Sequence, residues 1–151
     1  MLNSKFLYNN EGICAFGIMS ILEIMGELSY SKVMLIAPLI FNSNVVKFLT
    51  TNSKIRSFEE FRIKQVSSVS KFNSMYYNFL PLTINTLVIL RDMNFIDIED
   101  NIIKLKRPLI PLVETKKIGK RANKIIKASP KFAVLLKEND EKLYLQLGVI
   151  L

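Results

Sequence analysis

The stretch 81–107, PLTINTLVILRDMNFIDIEDNIIKLKR, decides the fold class, because its hydrophobic period changes once along its length. Ile84, Leu87 and Val88 recur at three and four, with Arg91 on the same face, which predicts a helix. Pro81 is placed in the first turn, where its missing N–H removes no hydrogen bond. Asn94 tolerates the left-handed conformation that closes a helix. The period then becomes two. Phe95, Ile96 and Ile98 lead into the polar turn Glu99-Asp100-Asn101, and Ile102, Ile103 and Leu105 lead out of it, which predicts a β-hairpin. A helix followed by such a hairpin is how a winged helix-turn-helix ends, as recognition helix and wing. The same outline also serves protein docking, so shape alone does not define a DNA reader. Leu87 is expected inside, where Leu87→Ala costs about 2–5 kcal/mol. Asp100 is expected at an exposed tip, where Ala costs less than about 0.5 kcal/mol.

Upstream, Asn10-Glu11-Gly12 opens a helix running to about Gly26. It is apolar nearly all round (Ile13, Phe16, Ile21, Leu22, Met25), as a central buried helix is. Ser31 is read as the cap of a second apolar run, Val33 to Phe41, which contains Pro38. These runs are too short to cross a membrane, which takes roughly 20 residues, and Glu23, Glu27 and Lys32 would fall at membrane depth. Ser43 is placed as the cap of a short helix over Asn44–Thr50. Ser57-Phe58-Glu59-Glu60 fits a capping box, with Glu60 reaching back to the cap N–H. The helix it opens carries Phe58, Phe61, Val69, Phe72, Met75, Tyr76 and Phe79. With few charges beside them these aromatics belong to a core, not to a base-stacking platform.

Downstream of the hairpin, Pro108 and Pro111 demand an extended connector. Helical period returns from Thr115 to Lys127, Ser129-Pro130 starts a further turn or two, and Lys142–Leu151 alternates like a terminal strand. The expected fold is mainly α with a small β-hairpin, an α+β chain. In it a winged helix-turn-helix-like core (57–107) is flanked by apolar N-terminal helices (1–56) and by a C-terminal basic helix plus strand (108–151). At 151 residues, half of them apolar, this is a single domain with material for a sizeable core.

The chemistry of catalysis is thinly represented. There is no histidine, which removes the commonest general base and metal ligand. The single cysteine, Cys14, lies in an apolar run and has no internal partner, so a reducing cytoplasm suits it. No Gly-rich phosphate loop, nucleophile elbow or metal-ligand spacing occurs, and Asp97, Glu99 and Asp100 read as a solvated hairpin tip. No catalytic residue, metal or cofactor is expected, and hence no enzyme. The N-terminus lacks the charge-then-apolar order of a secretory signal.

Charge is the informative property. The net charge of +8 points to an anionic partner. Between positions 104 and 131 ten cations (Lys104, Lys106, Arg107, Lys116, Lys117, Lys120, Arg121, Lys124, Lys127 and Lys131) face one acid, Glu114. Helical spacing gathers the later ones on one side. Such a stripe suits DNA phosphates or an acidic protein surface. The recognition helix offers only Thr83, Asn85, Thr86 and Arg91 as base readers, which favours the protein surface.

Two further stretches carry a resemblance. NNEGICAFGIMSILEIMGELSYSKVMLIAPLIFNSN, with Leu35 to Ile40 as L-x-x-P-L-I, and GKRANKIIKASPKFAVLLKENDEKLYLQLGVIL, ending in Leu147-Gly148-Val149, are similar to the small middle component of bacterial three-component ABC-ATPase conflict systems. That group includes Lamassu-type phage defence. The chain departs from the family in three places: it has no proline near Asn10, no tryptophan, and Pro130 where a helix would continue. The resemblance implies a non-enzymatic partner of an SMC/Rad50-like ATPase and of an effector, often a nuclease, and it leaves room for duplex DNA within the complex. The apolar run from Ile13 to Phe41, in a chain of this size, predicts a protein that is poorly soluble or self-associating alone and rescued by coexpression with that ATPase. The rival from another class is a winged-helix transcriptional regulator.

Overall fold

A computed structural model describes residues 4–51, 54–108 and 119–151, the side chains of 4–9 excepted. The first helix, α1 (Ser4–Met25), is central as expected: Cys14, Ile18, Ile21 and Leu22 have no solvent exposure. It ends at Gly26, whose φ of 81° only glycine adopts without strain. Strand β1 (Glu27–Ser29) follows, then α2 (Tyr30–Val33), α3 (Ile36–Ile40) and α4 (Ser43–Thr50). The caps fall slightly upstream of their expected positions. Ser29, not Ser31, accepts the Lys32 N–H, and Asn42, not Ser43, accepts the N–H groups of Asn44 and Val45.

The aromatic-rich helix expected after Ser57 is three helices, α5 (Phe58–Lys64), α6 (Val66–Ser70) and α7 (Phe72–Asp92). The segment Val66–Ser70 is serine-rich and β-branched, with poor helix propensity, and the helical run is interrupted at Gln65, whose φ of −124° and ψ of 42° are not helical, and again at Lys71. Ser57 does accept the Glu60 N–H at 3.3 Å, while Glu60 accepts the Arg56 N–H, one residue before the cap. Pro81 is not in a first turn. It lies at an exposed position inside α7, which continues through it because Tyr76, Thr83, Leu87 and Leu90 are buried on either side. One missing backbone bond is outweighed by tertiary burial.

Asn94 closes α7 with φ 61°, its N–H donating to Arg91 O and that of Phe95 to Leu90 O. This is a Schellman ending with Asn at the left-handed position. The hairpin follows as expected, β2 (Ile96–Glu99) and β3 (Ile102–Leu105), with Asp100 and Asn101 both at positive φ as a two-residue type I′ turn requires. A third strand, which the sequence pattern does not announce, completes the sheet. β1 pairs antiparallel with the other edge of β3, Glu27 opposite Lys104, giving the order β1-β3-β2.

α8 (Lys120–Leu135) lies along α1 and is continuous through Pro130, so Ser129-Pro130 starts no new helix. Ile125, Ala128, Ser129 and Phe132 are all buried and hold both halves of α8 in place. The terminal strand is also corrected: α9 (Asp140–Gln146) is a helix. Asn139 caps it, Leu143 and Leu147 bury one face at helical spacing, and Gly148 (φ 70°) ends it in a Schellman turn through Val149 N–H to Tyr144 O. The alternation at its end comes from Leu145, which points outward. The structure is thus mostly helical with a three-stranded antiparallel sheet. Among the described residues no single helix is long and apolar enough to cross a membrane; the bent pair Tyr30–Ile40 and Ser43–Thr50 has the composition, but most of it is core.

Candidate nucleic-acid and partner interface

Of the ten cations read from the sequence, the eight among the described residues separate into two groups. Ile125 lies over Gly17 and Ser129 meets Ser20, so α8 runs parallel to α1 and its first turn sits toward the N-terminal half of α1. Lys104 is held by register opposite Glu27, beyond the C-terminal end of α1, and pairs with it at 3.5 Å. Arg107 is committed to structure: its guanidinium lies 4.1 Å over the Phe95 ring and donates to the carbonyls of Met93 and Asn94 at the end of α7. Lys106 is exposed beside it. Lys116 and Lys117 lie outside the described residues.

The rest of the basic stripe borders a cleft. The first turns of α8 pack against α4, and between them opens a cavity of about 660 Å³. Lys120, Arg121 and Lys124 line it from α8, and Ser43, Asn44, Lys47 and Thr50 from α4. Ile40, Val46 and Ile125 form its buried floor. Arg121 lies 4.9 Å over Phe41, which itself stacks on Phe79 at 4.8 Å, so the guanidinium is held over a rigid aromatic pair. Lys127 continues the line outside the cleft, and Lys131 donates to the Thr51 carbonyl. Among the described residues no carboxylate pairs with Lys47, Lys120, Arg121, Lys124 or Lys127. Sequence spacing does not single out Lys47. Its helix has Val45, Val46 and Leu49 inward, which turns Lys47 outward, but only the long-range packing of α4 on α8 reveals its neighbours.

Thr83 and Thr86 cannot read bases. Both are buried, their hydroxyls donating to the carbonyls of Phe79 and Leu82 within α7. They face Cys14, whose thiol burial pushes up to about 11, an effect that hydrogen bonding to the two threonines only partly offsets. The outward side of α7 shows Ile84, Val88, Ile89 and Met93, with Asn85 and Arg91 exposed among them.

A second kind of surface lies on the α9 side. Ile63, Val66 and Leu145 are 65–76% exposed around a groove of about 800 Å³ between α5, α6 and α9. A neighbouring cleft of about 820 Å³ between α2, α7 and α9 is lined by Met34, Leu80, Ile84 and Val149, and Leu145 borders both. At its edge Asp140 accepts from Ser29 and Ser31 and pairs with Lys32 at 3.5 Å. Burial would raise the Asp140 carboxyl, but the two hydroxyls and the ammonium outweigh it and hold it below the usual carboxylate range.

Fold and surfaces together define a small α+β chain with an exposed apolar flank and a separate basic cleft. The chain belongs to the family described as ABC-three component (ABC-3C) system Middle Component 3, whose model matches residues 20–151. The resemblance seen in the sequence is therefore sound at the level of the family. No curated protein and no solved structure matches the chain.

Proposed function

We propose that this protein is a non-catalytic accessory subunit of a cytoplasmic anti-phage or anti-plasmid defence complex of Lamassu type. In this reading it links an SMC/Rad50-like ABC ATPase to an effector subunit of nuclease type. The observation that carries the reading is the run of exposed apolar side chains around the two α9 grooves, in a chain whose family is a middle component of a three-component system. Isolated apolar residues on a surface are ordinary, but a contiguous set bordering concave grooves marks an interface. Two grooves sharing Leu145 suit a chain that contacts two neighbours.

The order helix, strand, helices, hairpin, with β1 paired to β3, supports a winged arrangement. A winged-helix transcriptional regulator is the alternative that this topology favours. Base reading needs polar groups on the outward face of the helix before the wing. Here the exposed polar candidates are reduced to Asn85 and Arg91, the latter 3.7 Å from Asp92, beside exposed Ile84, Val88, Ile89 and Met93, which favours protein docking.

The test is coexpression with the neighbouring ATPase and effector. The chain should copurify with both and gain solubility, and Leu145→Asp or Ile63→Asp should release a partner without lowering the melting temperature. A monodisperse monomer at high concentration that ignores both partners would overturn the reading.

A further inference from the structure

The basic cleft between α4 and α8 differs from the two α9 grooves in charge: it gathers four cations and no acid, whereas the grooves carry Glu59, Asp140 and Glu141 in their linings. Its walls carry Lys47, Lys120, Arg121 and Lys124, its floor is Ile40, Val46 and Ile125 with Phe41 half-buried under Arg121, and among the described residues no carboxylate pairs with these cations. Lysine is depleted at the centre of protein interfaces, where aromatic and aliphatic anchors dominate. Among the described residues the exposed anchors lie elsewhere, on α1, α5, α6, α7 and α9 and at the C-terminal end.

Phosphodiester chemistry fits the cleft better. Lysines serve phosphates as mobile point charges and arginine as a positioned fork, and here Arg121 is held over Phe41. Lys120 and Lys124 are one helical turn apart, about 6 Å along the axis, and Lys127 carries the line out of the cleft. A line of cations open at one end suits an extended polyanion rather than a lone phosphate, which needs an enclosing ring of donors.

We propose that this cleft binds the phosphate backbone of duplex nucleic acid, with Lys47, Lys120, Arg121 and Lys124 as its cations. The small number of base readers on α7, taken alone, favours an acidic protein surface for the basic stripe. The separation of the basic wall from the apolar flank argues for the backbone, and such binding is independent of base sequence. The site goes beyond the linking role and does not require it.

The experiment uses the full chain and a fluorescent duplex oligonucleotide, with anisotropy read across a salt series. Lys47→Gln/Lys120→Gln/Lys124→Gln is compared with an equally neutralised control, Lys71→Gln/Lys106→Gln/Lys142→Gln. The wild type should bind with a log–log salt slope that the cleft variant reduces by about 3, roughly one for each phosphate that no longer meets a lysine. The control should change it by less than about 1. No binding by the wild type at low salt, or equal reductions in the two variants, overturns the proposal. So does tighter binding to polyglutamate than to the duplex, which would assign the cleft to an acidic protein. Pull-down by the ATPase and effector is read in parallel. Failure of the cleft variant to be pulled down, with its slope unchanged, also overturns the cleft as a nucleic-acid site. Intact duplex binding with no pull-down of the wild type rejects the linking role and leaves the cleft standing.

Discussion

Ser20 and Ser129, 109 positions apart, meet hydroxyl to hydroxyl at 2.7 Å inside the α1–α8 interface. Each also lies within reach of a carbonyl in its own helix, Gly17 O at 3.1 Å and Ile125 O at 2.9 Å. Two hydroxyl hydrogens therefore serve three contacts, and pairing across the interface takes one hydrogen from a helix carbonyl. Either serine alone can fall back on its own helix.

The two serines should thus be energetically coupled. Ser20→Ala and Ser129→Ala should each cost about 0.5–1.5 kcal/mol, and the double variant should cost less than their sum by at least about 0.5 kcal/mol. Urea unfolding of the four species measures this. Strict additivity would mean that the bond contributes nothing beyond the two separate intrahelical hydrogen bonds.

Gly17 sets how closely α1, α3 and α8 approach. A Cβ there would come within 2.5 Å of Ile40 Cδ1 and 3.6 Å of Ile125 Cγ2, and Ile40 is itself buried. Gly17→Ala should destabilise by about 1–3 kcal/mol through overpacking. Ile40→Val, which deletes the clashing methyl, should recover part of that deficit in the double variant. Gly12 has open space around it, so Gly12→Ala should instead stabilise by about 0.5–1 kcal/mol. The same sign at both glycines would refute the close approach.

Elements whose signals are local are readable in the sequence: the buried α1, the left-handed Asn94, the hairpin, and Leu87 at 2% exposure. The errors fall where distant packing decides. Pro81 and Pro130 look like helix starts because each removes a backbone donor, but residues buried on either side carry both helices through. Thr83 and Thr86 look like base readers until Cys14 is found against them. Leu145 makes α9 resemble a strand because an outward-facing leucine looks, in sequence, like a core one. The cleft is half legible: the α8 cations are visible, but Lys47 joins them only through the packing of α4 on α8.

The hairpin tip shows what conformation adds to exposure. Asp100 is exposed, which by itself implies a negligible cost for alanine, but its φ of 51° places it in the left-handed region. Asp100→Ala should therefore cost about 1 kcal/mol or more, and Asp100→Gly should be neutral or stabilising. Leu87→Ala should still cost more, about 2–5 kcal/mol. Thermal unfolding of the three variants checks the order, and an Asp100→Ala protein indistinguishable from wild type would contradict the type I′ turn.

Asp140 ties α9 to the β1–α2 junction and should make that tie pH-dependent. Its carboxylate accepts from Ser29 and Ser31 beside Lys32, and Tyr144 donates to Ser31 O at 2.6 Å in the same cluster. Burial pushes the Tyr144 hydroxyl above its ordinary value, so it remains protonated and keeps donating at neutral pH. The folded state holds Asp140 below the ordinary Asp value of about 3.9, so folding favours the charged form. The resulting stability is fully present above that value and is lost as pH falls through the native one. Asp140→Asn should therefore be less stable than wild type by a constant margin from about pH 7 to pH 5, and the margin should shrink below about pH 4. Denaturant unfolding of both proteins across that range is the measurement. A margin that persists undiminished at about pH 3 would show that the cluster works through packing and neutral hydrogen bonds, with the charge of Asp140 irrelevant to it.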